Sequence, residues 1–276
     1  MRSATGPKRA PFVLGALVLA AAFAGVYVFF VRTHTGQLID ERSFEGAALW
    51  RGGLGGPASW LLNALPAISV GLAFVIMVIV SIIRRNGTVF IAAAAAALAA
   101  NASTQLLKYA ILDRPDTGVA EGLANSLPSG HTTAAASAAL AVFLIASPRM
   151  RPVAAAIGSL FAIVAGAATL VNQWHRPSDV IAALLVVAFW GCGAGFVLAT
   201  SASAQAARPS RTRALPLAIG ALLCAVAAGF GFVVTAGGLA VGSNHRFIAY
   251  MGGVAAIAAI GLALAWAGVM LFRWLR

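Results

Sequence analysis

Eight separate stretches of this chain are apolar over roughly the 20 residues that a helix needs to cross a hydrocarbon core, and that repetition restricts the fold more than any motif does. They run over 11–31, 60–83, 88–108, 131–147, 153–173, 179–200, 215–236 and 247–272. No water satisfies the backbone inside a bilayer, so each stretch has to be a helix that closes its own hydrogen bonds. The expected fold class is all-α: a polytopic membrane helix bundle of about eight transmembrane helices. Of the 276 residues only 9% are charged, against roughly 25% in a soluble domain, which excludes a soluble globular fold.

The formal net charge of +12 suggests nucleic acid at first sight. A basic binding surface, however, needs Lys and Arg clustered on a polar segment long enough to fold, and the chain has none, so no nucleic-acid partner is expected. Charge is sorted by membrane side instead. With the N-terminus cytoplasmic, the inner segments carry Arg2, Lys8, Arg9, Arg84, Arg85, Arg149, Arg151, Arg208, Arg211, Arg213, Arg273 and Arg276, twelve of the 19 basic residues, as the positive-inside rule requires. The outer segments then hold all seven acids (Asp40, Glu41, Glu45, Asp113, Asp116, Glu121 and Asp179) and all four histidines. Titratable chemistry therefore collects on the outer face.

The first apolar run follows Arg2, Lys8 and Arg9 but exceeds the roughly 7 to 15 apolar residues of a secretory signal, so it is expected to remain as an anchor in the plasma membrane, with both termini cytoplasmic. Cys192 and Cys224 fall within apolar runs and read as small packing residues. Ser201–Ala214, rich in Ala, Ser and Arg, reads as a flexible connector. The chain thus divides into an anchor and outer loop (1–59), a six-helix core (60–200), and a connector with a C-terminal hairpin (201–276).

Three polar patches fall at outer helix ends: KYAILDRP (108–115), PSGH (128–131) and NQWHRPSD (172–179). In PSGH, Pro128 and Gly130 make a tight turn and Ser129 is placed to cap the next helix, with its hydroxyl and the first backbone N–H groups expected to face outward. A helix N-terminus of this kind binds phosphate. Lys108 and Arg114 bring positive charge beside it, the arginine with the fork that matches phosphate oxygens; the plain alternative is a snorkelling lysine and a solvated arginine. Four residues separate His175 from Asp179, close enough for the carboxylate to hold one imidazole nitrogen and leave the other as a nucleophile. Alone, that pair reads equally as a helix-capping aspartate beside an interfacial histidine, but His131 adds a second proton carrier. Two histidines, two cations and a helix N-terminus suit phosphoryl transfer without a metal or other cofactor. The competing zinc site, from His131, His175 and Asp179, is disfavoured by the cations around it.

Together these residues resemble the type 2 phosphatidic acid phosphatase superfamily, in its membrane lipid phosphatase branch. The resemblance covers about residues 60–200: PSGH is intact at 128–131 and His-x-x-x-Asp at His175 and Asp179, in the family's order. It implies His175 as the nucleophile that becomes a phosphohistidine, Asp179 as its orienting partner, His131 as general acid, and Lys108, Arg114, Ser129 and Gly130 as phosphate binders. Two departures stand out. Five residues separate Lys108 from Arg114 where the family has six, and Ala168 and Thr169 occupy the place of the family's Ser-Arg. Thr169 supplies a hydroxyl without the charge, which makes Arg176 the candidate replacement.

The expected substrate is a lipid phosphate or polyprenyl diphosphate whose chain stays in the bilayer, with recycling of the cell-wall carrier undecaprenyl diphosphate as the best-fitting role and phosphatidic acid or phosphatidylglycerol phosphate close to it. Gly36–Gly53 reads either as an ordinary connecting loop or as an interfacial segment. Rival readings are a lipid transporter or flippase, in which the glycines of the sixth and seventh runs would mark broken helices, a phosphate-lipid-binding relative with weak catalysis, and a phosphotransferase.

Overall fold

The computed structural model describes residues 9–50, 87–119, 125–200, 214–238, 243–273 and 275, with six helical positions between 64 and 79. Eight helices organise these residues: α1 (Ala10–Arg32), α2 (His34–Ala47), α3 (Gly87–Leu106, continued by a π turn over Leu107–Ile111), α4 (Gly130–Ile145), α5 (Arg151–Val171), α6 (Pro177–Thr200), α7 (Leu215–Ala236) and α8 (Ser243–Phe272). Six of them, α1, α3 and α5 to α8, are long and apolar enough to cross a membrane, and α4 is a shorter apolar helix. The protein is a multi-pass membrane helix bundle. Seven of the eight expected runs coincide with these helices within a few residues; the run 60–83 lies outside the described residues apart from those six positions.

Large apolar side chains on the bundle surface, such as Leu14, Leu98 and Leu222 at 63%, 72% and 65% exposure, face outward as a lipid-bathed surface requires. Inside, helices approach through small residues, since packing rather than water exclusion holds them together in lipid. Gly166 of α5 sits against Val180 of α6 and Thr132 of α4, Gly231 of α7 meets the backbone of Gly252 of α8, and Gly261 of α8 faces Ile163. Short polar clasps add to this: Trp190 Nε1 donates to Ser103 Oγ at 3.0 Å, Asn101 Nδ2 to Ser137 Oγ at 3.2 Å, and the Thr104 and Thr133 hydroxyls meet at 2.9 Å. Such interhelical bonds contribute about 0.6 kcal/mol each.

The largest departure from the sequence reading is α2. Residues expected to form a loop or interfacial segment make a 14-residue helix capped by Thr33, whose hydroxyl accepts from Gly36 N at 3.0 Å. Its buried face carries Gly36, Gln37, Ile39, Asp40, Ser43, Gly46 and Ala47. Gly46 lies against Arg246 and Tyr250 of α8, and Gly253 of α8 lies against Ser43 and Pro177. This helix is thereby wedged between the C-terminal hairpin and the start of α6.

Candidate active site

All three polar patches converge at one end of the bundle. The PSGH turn starts α4: Ser129 is its N-cap, accepting from Thr132 N at 3.3 Å and Thr132 Oγ1 at 3.0 Å. Its backbone N–H donates to the Asp179 carbonyl at 2.9 Å, joining the starts of α4 and α6. Ser129 is fully buried, so its hydroxyl turns into the helix rather than outward; the orphan donors at the tip belong to the backbone of the half-buried Gly130 and His131. Asn125 fastens the preceding loop, with its amide within 3.2 Å of the carbonyls of Lys108, Leu112 and Leu127.

His175 and Asp179 are both buried, with Nδ1 and Oδ2 3.2 Å apart. The same Oδ2 accepts from Arg176 N at 3.0 Å. Sequence explains this local shape. Pro177 occupies the first position of α6, where a missing N–H does no harm, and Asp179 lies in the positive first turn. With the Nδ1 proton directed to Asp179, the Nε2 lone pair is left for chemistry. The His131 ring lies with its centroid 6.3 Å from that of His175 and 4.9 Å from that of Trp174, so Trp174 forms one wall against it.

The segment that delivers His175 leaves α5 through a Schellman turn. Trp174 N donates to Thr169 O and Gln173 N to Leu170 O, both at 2.9 Å. Gln173 takes the left-handed position at φ 60°, and its side chain donates to Phe44 O of α2 at 2.6 Å. Thr169 is buried, with its hydroxyl given to Gly166 O at 2.7 Å. It supports the turn by its carbonyl.

Among the cations, Arg114 is buried, with Nη2 4.0 Å from both Asp40 Oδ2 and Asp179 Oδ1. Its Nε and Nη2 and the Asp179 Oδ1 are buried without a hydrogen-bond partner, the kind of unspent capacity that a bound phosphate oxygen satisfies on the guanidinium side. Lys108 is half-buried in the π turn, with Nζ 5.5 Å from the Tyr109 ring centroid. Arg176 is turned toward α2: Nε donates to Glu41 Oε2 at 2.6 Å, the guanidinium carbon lies 5.2 Å from the Phe44 ring centroid, and Nη1 reaches Ser126 Oγ at 3.5 Å. Burial, the largest single influence, opposes the Arg176 charge, but the bond to Glu41 and the charges of Glu41, Asp179 and Asp40 together outweigh it and raise its pKa.

Sequence reasoning missed α2 as a source of site residues. Asp40 accepts from Ser178 N at 3.0 Å and from Ser178 Oγ at 2.5 Å. Burial, then the nearby Asp179 charge, pushes the Asp40 carboxyl up to about 7, with the Ser178 bonds and Arg114 pulling the other way. Asp40 and Glu41 hold the 176–178 segment from two sides. One signal was legible in principle: two adjacent acids in a chain that has only seven.

Among the described residues no three His, Cys, Asp or Glu side chains group as a metal site. Residues 88–194 match the family model of the PAP2 superfamily, the type 2 phosphatidic acid phosphatase superfamily that the motifs resemble. No curated protein and no solved structure matches the chain. The matched segment contains Lys108, Arg114, Ser129, Gly130, His131, Thr169, His175, Arg176 and Asp179, and the superfamily it matches is one of phosphatases acting on phosphate esters.

Proposed function

From the PAP2 match over residues 88–194, we propose that the protein is a metal-independent phosphatase of lipid phosphates or polyprenyl diphosphates, acting at the outer face of the plasma membrane through a phosphohistidine. The observation that carries the reading is the buried His175–Asp179 pair at 3.2 Å facing His131. The Nε2 lone pair of His175 attacks phosphorus. As the P–O bond to the lipid breaks, His131 gives the leaving oxygen its proton, and Asp179 stabilises the positive charge that forms on His175. Arg114, Lys108 and the N–H groups of Gly130 and His131 meet the negative charge on the phosphoryl oxygens. Water, deprotonated by His131, then attacks phosphorus, the P–N bond breaks, and orthophosphate and His175 are regenerated.

An amphiphilic substrate is favoured by the surroundings of Lys108. Leu106, Tyr109 and Ile111 are 55%, 74% and 58% exposed on the same stretch of chain, so the rim beside the cations is apolar and suits a lipid chain better than water. Outward placement rests on the basic bias of the opposite segments. The test is phosphate release from phosphatidic acid, phosphatidylglycerol phosphate and undecaprenyl diphosphate in detergent with EDTA present. Release by wild type and none by His175→Ala is the expected result. Release that survives His175→Ala, or that stops in EDTA, overturns it.

A further inference from the structure

Helix α2 lies outside the residues that match the family model, yet it reaches the centre of the site. We propose that Asp40 is a positioning residue of the phosphatase reaction: its carboxylate fixes the first turn of α6 through Ser178 and holds Arg114 between itself and Asp179, so that the guanidinium meets the phosphate and Asp179 stays with His175. The inference rests on the phosphatase reading.

The geometry carries it. Both Asp40 oxygens are engaged by Ser178, one from the backbone and one from the hydroxyl, at 3.0 and 2.5 Å. An acceptor for the second residue of α6 satisfies one of the N–H groups that the start of a helix leaves unpaired, beside the bond from Arg176 N to Asp179 Oδ2 at 3.0 Å. Asp179 is the next residue, so a carboxylate that fixes Ser178 also fixes the turn bearing the partner of His175. Arg114 Nη2 stands 4.0 Å from each carboxylate. If Asp40 were neutral, the attraction on Arg114 would come from Asp179 alone, and the guanidinium would close on Asp179 Oδ1. Both His175 and the phosphate would then lose part of a partner. Paired charges in a dry site act strongly on one another, which makes a third group between two others a sensitive control.

Charged and titratable groups surround Asp40 on each side. Arg114 comes from the loop after α3, Asp179 and Ser178 from α6, and Arg176, held by Glu41, from the segment before α6; His175 stands behind Asp179. On the α8 side Arg246 and Tyr250 pack against Gly46, farther along α2. Burial, ahead of the Asp179 charge, pushes the Asp40 carboxyl up to about 7 in this setting. The positioning effect is therefore present above that pH and fades below it.

The experiment compares wild type with Asp40→Asn, which keeps the shape and one acceptor for Ser178 but removes the charge. Phosphatidic acid turnover in mixed micelles and binding of inorganic phosphate, followed by calorimetry, are each measured from pH 5.5 to 8.5. At pH 8.5 the variant is expected to lose about tenfold or more in kcat/KM and several-fold in phosphate affinity, the scale of a weakened charge-assisted contact. The ratio of wild type to variant is expected to shrink toward one as pH falls through about 7; ionisation of the phosphate itself affects both proteins and cancels. A merely structural Asp40 predicts a ratio that does not depend on pH. Ser178→Ala provides an independent arm, because loss of a donor to Asp40 moves the acidic limb to higher pH, and it decides the matter if Asp40→Asn fails to fold. A wild type that turns over lipid while the ratio stays flat and the limb stays put overturns the role of Asp40 alone. If wild type neither releases nor binds phosphate, the phosphatase reading falls with it.

Discussion

Arg176 gives its Nε to Glu41 Oε2 at 2.6 Å while its Nη1 points to Ser126, so the cation beside His175 is gripped from behind by α2 with its other edge toward the PSGH side. This arrangement suits a residue that replaces the arginine missing at Thr169. Arg176→Ala is expected to raise KM for a lipid phosphate about tenfold or more, as loss of a charged hydrogen bond does. Glu41→Gln, which loosens the grip but keeps the cation, is expected to change KM by less than about fivefold. Steady-state kinetics on the two variants check this; an unchanged KM for Arg176→Ala removes it from the phosphate site.

Asp179→Asn keeps the shape of the dyad and removes the charge that steadies a cationic His175. Turnover is expected to fall by about 100-fold to 10,000-fold, with binding of inorganic phosphate much less affected. Rapid-quench labelling with radioactive substrate reads the same step from another side: wild type should carry an acid-labile, alkali-stable phosphoryl label on His175.

Gln173 holds a left-handed backbone in a turn where glycine is the usual residue, and compensates through its side-chain bond to Phe44 O. A β-branched side chain suits this conformation poorly. Gln173→Val is expected to lower stability by about 1 to 3 kcal/mol and to reduce turnover, because Trp174 and His175 follow directly. Thermal unfolding in detergent together with kinetics is the check. Gln173→Gly, which relieves the backbone but loses the Phe44 bond, should fall between wild type and Gln173→Val.

Asp113 ties α1 to the segment after α3, accepting from Tyr27 Oη at 2.9 Å and Arg32 Nη1 at 2.6 Å. The Tyr27 bond, followed by the Arg32 charge, holds its pKa below the usual value. A depressed carboxylate contributes its stability above its unfolded pKa and loses it as pH falls through the lower folded value, so the contribution disappears only below about pH 4. Arg32 and Asp113 are exposed, at 44% and 71%, which keeps the effect small and salt-sensitive. The melting-temperature gap between wild type and Asp113→Asn should be slight at pH 7, vanish in acid and narrow in high salt.

The spanning helices were legible because lipid imposes a length and a composition on them: Ala10–Arg32 and Leu215–Ala236 match the expected runs closely. The convergence of Lys108, Arg114, PSGH and His175–Asp179 followed from their common place at helix ends. Helix α2 was not legible, and its buried face says why. Gly36, Gln37, Asp40, Ser43 and Gly46 follow a helical stripe, but they are small or polar, so no apolar period marks it. Burial there is driven by hydrogen bonds and close backbone approach. The inward turn of Ser129 was hidden for a related reason, since whether a capping hydroxyl meets water depends on what lies over the cap. Distant partners, Phe44 for Gln173 and Asp40 for Ser178, leave no local trace in a sequence.

Asp40 and Glu41 stand 138 and 135 residues ahead of the partners they hold, Ser178 and Arg176, and Gly253, which seats α2 against Pro177, comes later still. During synthesis, therefore, α2 emerges long before the segment it grips, and the wedge closes only after α8 has left the ribosome. A nascent chain that already carries α2, PSGH and His175 still lacks the face of α8 that seats α2 against Pro177. Competence thus depends on α8 as well as on the motifs, and a product that stops short of α8 is expected to be inert even with PSGH, His175 and Asp179 in place.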